Sequence, residues 1–182
     1  MSTKYKFRNQ EVPHFVTFAV VHWIDVFVRN TYRDILIDSI AHCQREKGLI
    51  VYAWCIMTSH VHMIIGTQAK PMQDILRDMK SYTSRQLKLA ISQNPQESRK
   101  EWILALMQRA GEQNGNNRDF QFWQQDNHPI ELSSNEMLDQ RLDYIHNNPV
   151  EAGFVIHPEE YPYSSARDYS GEKGYLDVIL IE

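Results

Sequence analysis

Only two cysteines, Cys43 and Cys55, occur in the 182 residues. They form no close pair motif, so neither a disulfide framework nor a zinc ribbon is supported. Both lie in apolar stretches and are expected in the core. Long hydrophobic runs are also missing: the longest spans a handful of residues, against the roughly 20 that cross a bilayer. The N-terminal MSTKYKFRNQ carries basic residues but no apolar segment before Pro13, so no secretory leader is predicted and the expected location is cytoplasmic, with no membrane partner. There is no internal repeat and no low-complexity tract.

What is present reads as one globular unit, residues 1–182, with 42% hydrophobic and 23% charged residues. The net charge of -4 hides an asymmetry, because residues 1–118 carry 16 Lys and Arg against 10 Asp and Glu, whereas residues 119–182 carry 3 against 13. A basic face in the first part suits a polyanion, while the total opposes non-specific coating of duplex DNA.

PHFVTFAVV, residues 13–21, is rich in β-branched and aromatic types and predicts a strand. Tyr32, Ile35, Leu36, Ser39, Ile40 and Cys43 recur at helical spacing and predict a helix from Thr31 to near Gly48. Two strands at about 49–57 and 60–66, separated by Thr58-Ser59, have hairpin spacing. A helix from Pro71 to about Ile91 would bury Ile75, Met79, Tyr82 and Leu87 and turn Arg77, Lys80, Ser84, Arg85 and Lys88 outward, either as a solvated face or as a surface tracking phosphates. Ser98 with Glu101 and Ser133 with Glu136 have capping-box spacing ahead of two more helices. Between them the polar stretch 111–119 reads as a loop and residues 120–132 as extended. The second of these helices should stop by Asn148, because Pro149 disfavours helical geometry in the residue before it. HPEEYPYSSARDY reads as irregular packing and 175–181 as a final strand. The expected fold is α+β, a ferredoxin-like α/β sandwich whose mainly antiparallel sheet is flanked by helices in the order β-α-β-β-α-β.

Two features carry chemistry. His60 and His62 flank Val61 on a strand, so both imidazoles project from one face, where they either converge on a metal ion or stand as ordinary strand histidines. On the last long helix, Arg141, Tyr144 and Asn148 share a stripe beside the apolar Leu138, Leu142 and Ile145; Tyr144 and Asn148 are neighbours at i and i+4. Asp126, His128 and Glu131 precede that helix, either as a further acid, base or ligand or as exposed loop polars. Trp102, Phe122 and Trp123 are available for base stacking or for the core.

The ordered set HVHMII, FWQQ, LDYIHNNPVEAGFV and PEEYPYSSARDY resembles the REP-associated tyrosine transposases, relatives of the single-tyrosine HUH transposases of insertion sequences. The resemblance implies a divalent ion, Mg²⁺ or Mn²⁺, held by His60, His62 and Asn148, with Tyr144 as the nucleophile that leaves a 5′-phosphotyrosine and a free 3′-hydroxyl. It implies single-stranded or hairpin DNA as partner. Arg77, Lys80, Arg85 and Lys88 are then candidate DNA contacts, joined by Lys4, Lys6 and Arg8, and Arg141 is a contact to phosphate or to the nucleophile. The alternatives are a hairpin-binding protein without turnover and an unrelated metal enzyme, such as a hydrolase with water as nucleophile, that uses only His60 and His62. Thr58-Ser59 departs from the proline and polar residue of many relatives, residues 93–119 look like a helical and loop insertion, and monomer and homodimer both remain open.

Overall fold

The computed structural model describes residues 7, 9–115, 119–125 and 127–181. Lys4, Lys6, Arg8 and Asp126, together with residues 116–118 of the polar loop, lie outside the described residues. The chain runs β1 (His14–Ala19), α1 (Asn30–Lys47), β2 (Leu49–Ile56), β3 (His60–Thr67), α2 (Met72–Gln93), α3 (Lys100–Glu112), β4 (Ile130–Glu131), α4 (Asn135–Glu151) and α5 (Ala166–Tyr169). The four strands pair antiparallel in the order β2-β3-β1-β4, the ferredoxin-like arrangement expected from the element order.

The two faces of the sheet differ in chemistry. Directly opposed residues of antiparallel strands point the same way, and the register opposes Phe15 to Ile64, Thr17 to His62 and Ala19 to His60. The other face carries Val16, Phe18, Val61, Met63 and Ile65, all buried. On that apolar face Phe18 meets the Trp123 ring at 5.0 Å, and the Trp123 indole N–H donates to Thr83 of α2 at 3.0 Å. Here α2 buries Ile75, Met79, Leu87 and Ile91, and α1 buries Tyr32, Leu36, Ile40 and Cys43. Lys47 of α1 joins Asp78 of α2 at 2.9 Å. Gly48 ends α1 at φ 73°, and a Cβ there would lie 2.6 Å from Ala69 Cβ, so both conformation and space require glycine.

α4 covers the histidine face, packing on β2 and β3. The tyrosine-rich segment behind it covers the free edge of β2: Ile56 N–H donates to the Tyr163 carbonyl at 2.9 Å and Ser165 N–H to the Trp54 carbonyl at 2.9 Å. An outer strand left open is a template for unwanted pairing, and irregular backbone closes it here.

Several expectations need correction. Residues 175–181 form no strand; only Ile179 N–H reaches β2, at the Val51 carbonyl. α4 passes through Pro149 to Glu151: the proline forfeits one ladder bond, but its ring is buried, and Ala152 and Phe154 N–H close onto the carbonyls of Asn148 and Pro149. Gly153, at φ 74°, then stops the helix. The α4 cap is Ser134 rather than Ser133, accepting from Met137 N–H at 3.3 Å, and α3 begins after Arg99 with no side-chain cap. Among the described residues of 120–132 only Ile130–Glu131 form a strand, with an isolated bridge from Trp123 to Val20. Tyr82, placed in the buried stripe of α2, is 49% exposed. Cys43 and Cys55 are free and buried as expected.

Candidate functional site

His60 and His62 stand side by side, ring centroids 4.7 Å apart. His62 is buried at 4% exposure, stacked on Phe15 with centroids 5.6 Å apart. Its Nδ1 is 2.7 Å from Thr17 Oγ1, a contact made by the residue directly opposite on β1. Its Nε2 is buried without a hydrogen-bond partner among the described residues. A buried polar nitrogen left open is uncommon and calls for an explanation. His60 Nδ1 lies 3.2 Å from Ser59 Oγ, and its ring meets Trp23 edge-on at 5.3 Å.

α4 supplies the rest. The Tyr144 ring is T-shaped to His62 at 5.1 Å and to Phe15 at 6.0 Å, and Tyr144 is 40% exposed. One turn on, the Asn148 side chain interacts with His60. One turn back, the Arg141 guanidinium lies 4.8 Å from the Phe15 ring centroid. His60, His62, Tyr144, Asn148 and Arg141 are therefore brought together on one face of one chain. The helix is held in register by His146, whose Nε2 is 2.8 Å from Ser165 Oγ and whose ring lies 5.0 Å from Tyr169.

Electrostatics keep the pair neutral. Burial first, then repulsion from the Arg141 charge and from any proton added to His60, lowers the His62 imidazole to about 3. Burial also lowers His60, against the opposing pull of Asp25 and Asn148. Each ring is therefore neutral at neutral pH, with a lone pair on one nitrogen and a proton on the other. Among the described residues no three His, Cys, Asp or Glu side chains form a metal cluster, so a cation here would be held by two imidazoles and an amide, all uncharged. That donor set suits a divalent ion and leaves its charge undiminished.

The other sequence candidates lie elsewhere. Arg77, Lys80, Arg85 and Lys88 sit on α2, across the sheet from the imidazoles. Arg77 pairs with Asp74 and Asp78, Lys80 donates to the Gln124 carbonyl and to Asn127, Lys88 lies over the Phe120 ring, and Arg85 is exposed. Glu131 shares the register position of His14 on the apolar face, accepts from Asn9 N–H and does not join the site. Phe122 and Trp123 are core, whereas Trp102 is 55% exposed. Thr17, Phe15 and Trp23 join the site with no motif to mark them. Only the strand register brings Thr17 opposite His62, and no local pattern marks it.

No curated protein matches the chain. A solved structure of a REP-associated tyrosine transposase bound to a REP hairpin is similar, with TM-score 0.66 and 17% identity over 98% of this chain and 92% of that one; at that identity the likeness is one of fold. A Deinococcus radiodurans R1 protein assigned as a transposase gives TM-score 0.43 at 18% identity, over 81% of this chain and 97% of that one, too distant to bear on the architecture. The family model described as "Transposase IS200 like" matches residues 13–109, which contain His60 and His62 but stop before α4. With that match running from β1 through most of α3, more than half its length, the chain belongs to the IS200-like transposase family.

Proposed function

We propose that this transposase-family protein is a metal-dependent single-stranded DNA endonuclease and strand transferase that works through a 5′-phosphotyrosine on Tyr144. One observation carries the reading: an exposed phenol stands edge-on to an imidazole pair whose inner member has an unpartnered buried nitrogen. His60, His62 and Asn148 would hold the ion, which supplies charge to polarise the scissile phosphate. The fold shared with a REP-hairpin-bound transposase makes hairpin DNA the favoured substrate class.

The chain's own residues perform the remaining steps. Phe15 and His62, stacked on each other, both meet the Tyr144 ring edge-on from the sheet side and give it a surface to rest on. The phenolic oxygen loses its proton to solvent and bonds to phosphorus. The P–O3′ bond breaks, and the departing 3′ oxygen takes a proton. Arg141, one turn away, adds positive charge near the phenolate and the phosphate. The phosphotyrosine ester keeps the bond energy, so a second 3′-hydroxyl can displace Tyr144 without ATP.

The decisive experiment incubates the protein with end-labelled hairpin DNA bearing single-stranded flanks and Mn²⁺ or Mg²⁺, then seeks a protein-linked fragment on a denaturing gel. Tyr144→Phe should abolish the adduct while binding persists, and His60→Ala should weaken metal binding. Normal cleavage by Tyr144→Phe, or by wild type in chelator, overturns the mechanism. Binding without any adduct would reduce the protein to a hairpin-binding module.

A further inference from the structure

Directly after β1 the backbone makes a tight turn in which Val21 and Ile24 are buried while His22 and Trp23 are exposed. Both exposed residues are left-handed, at φ 56° and 55°, a region that bulky side chains seldom occupy. Two such residues in succession turn the Trp23 indole outward and edge-on to His60, with centroids 5.3 Å apart. Trp23 is 55% exposed, and so is Trp102 on α3. The two indoles, with Arg99 and Asp25, line one open cavity of about 360 Å³, within the range of about 300–1,000 Å³ typical of small-molecule sites.

The polar wall of the cavity is held in place. Arg99 is bound at Nε by the buried Glu97 carboxylate at 3.0 Å and donates to the Asp25 carbonyl at 3.1 Å. The Thr58 hydroxyl donates to the Asp25 carboxylate at 2.6 Å. That carboxylate repels phosphate but accepts hydrogen bonds, so the cavity favours an uncharged planar ring over the sugar-phosphate backbone. Exposed indoles beside a guanidinium provide faces on which any base can stack.

We infer that the Trp23–Trp102 cavity is a stacking subsite for an unpaired DNA base next to the phosphate held at His60. The inference rests on the proposed function for the neighbouring phosphate, and it adds a contact to the unpaired flank rather than to the hairpin stem. Trp23 sets the base against the site, and Trp102 closes the far wall.

The test measures affinity in chelator, where no cleavage occurs, using a DNA hairpin with oligothymidine extensions on both sides and a matching series with one abasic position moved through each extension. Trp23→Ala and Trp102→Ala should each weaken binding of the intact probe by about 5- to 150-fold, whereas Trp23→Phe should stay close to wild type. One abasic position should impose the same loss on wild type and little further loss on Trp23→Ala. Wild-type affinity in both alanine variants, losses that no abasic position reproduces, or no binding of the probe by wild type would each overturn the subsite. Adduct formation in Mn²⁺ separates the two readings. Coupling between Trp23 and one abasic position without any adduct supports the subsite and sinks transesterification; a normal adduct with no coupling does the reverse.

Discussion

Replacing Thr17 by valine keeps the shape of the side chain and removes one oxygen, the one 2.7 Å from His62 Nδ1. If Nε2 is to present its lone pair to a cation, the ring proton must sit on Nδ1, so Thr17 Oγ1 must accept it. Without that oxygen the buried ring has nitrogens unsatisfied on both sides, at a cost of about 1–3 kcal/mol for the new one, and nothing selects the ligating tautomer. Loss of such a supporting contact typically weakens metal binding about 10- to 100-fold, or roughly 1.4–2.7 kcal/mol. Titration calorimetry of the DNA-free protein with Mn²⁺ reads this directly. Ser59→Ala is the internal comparison: its contact with His60 is longer, 3.2 Å, and its effect should be smaller. A folded Thr17→Val that binds Mn²⁺ as wild type does would refute the assignment of His62 Nε2 as a ligand atom.

The pH dependence has a definite sign. Burial foremost lowers His62 to about 3 and His146 to about 4, whereas unfolded histidines titrate near 6.5, so their contribution is complete above about pH 6.5 and is lost as pH falls. By pH 5 each should have cost about 2 kcal/mol; melting curves that stay flat between neutrality and pH 5 would contradict this. Glu97→Ala removes a fully buried carboxylate bound to Arg29 at 2.9 Å and Arg99 at 3.0 Å. Because both guanidinium groups reach water, the loss should be about 2–3 kcal/mol, below the ~3–5 of a fully buried pair, as read by urea unfolding. Ser165→Ala strips the buried hydroxyl shared by Trp54 N–H and His146. It should lower stability by about 1–3 kcal/mol and slow adduct formation, because α4 loses its tie to β2; a variant as stable as wild type would show that tie to be idle.

The fold was legible wherever periodicity and turn chemistry agreed. α1, the hairpin and α2 carry strong patterns, and Gly48 and Pro71 mark their ends. The sequence misled where a local rule met a tertiary one. The local rule for Pro149 ends α4 by Asn148, but with its ring buried the helix continues for three more residues, most of a turn, to Glu151. The apolar tail at 175–181 suggested a strand, yet the edge of β2 was already covered by Tyr163–Ser165. Strand alternation placed His60 and His62 on one face, but only the helix layer could show that α4 brings Tyr144 to that face. The converse holds for α2. Its basic stripe is evident in sequence, yet it rides on the opposite side of the sheet, where Asp74, Asp78, Gln124 and Asn127 engage Arg77 and Lys80.

The link between β4 and α4 sets a mechanical bound. Only Leu132, Ser133 and Ser134 separate Glu131 from Asn135, and Leu132 N–H is itself anchored to the Pro13 carbonyl at 2.9 Å. A stretched leash over that interval reaches about 14 Å at most. While β4 stays paired with β1, that leash keeps the start of the helix bearing the phenol within about 14 Å of Glu131 and so tethers the phenol to the edge of the sheet.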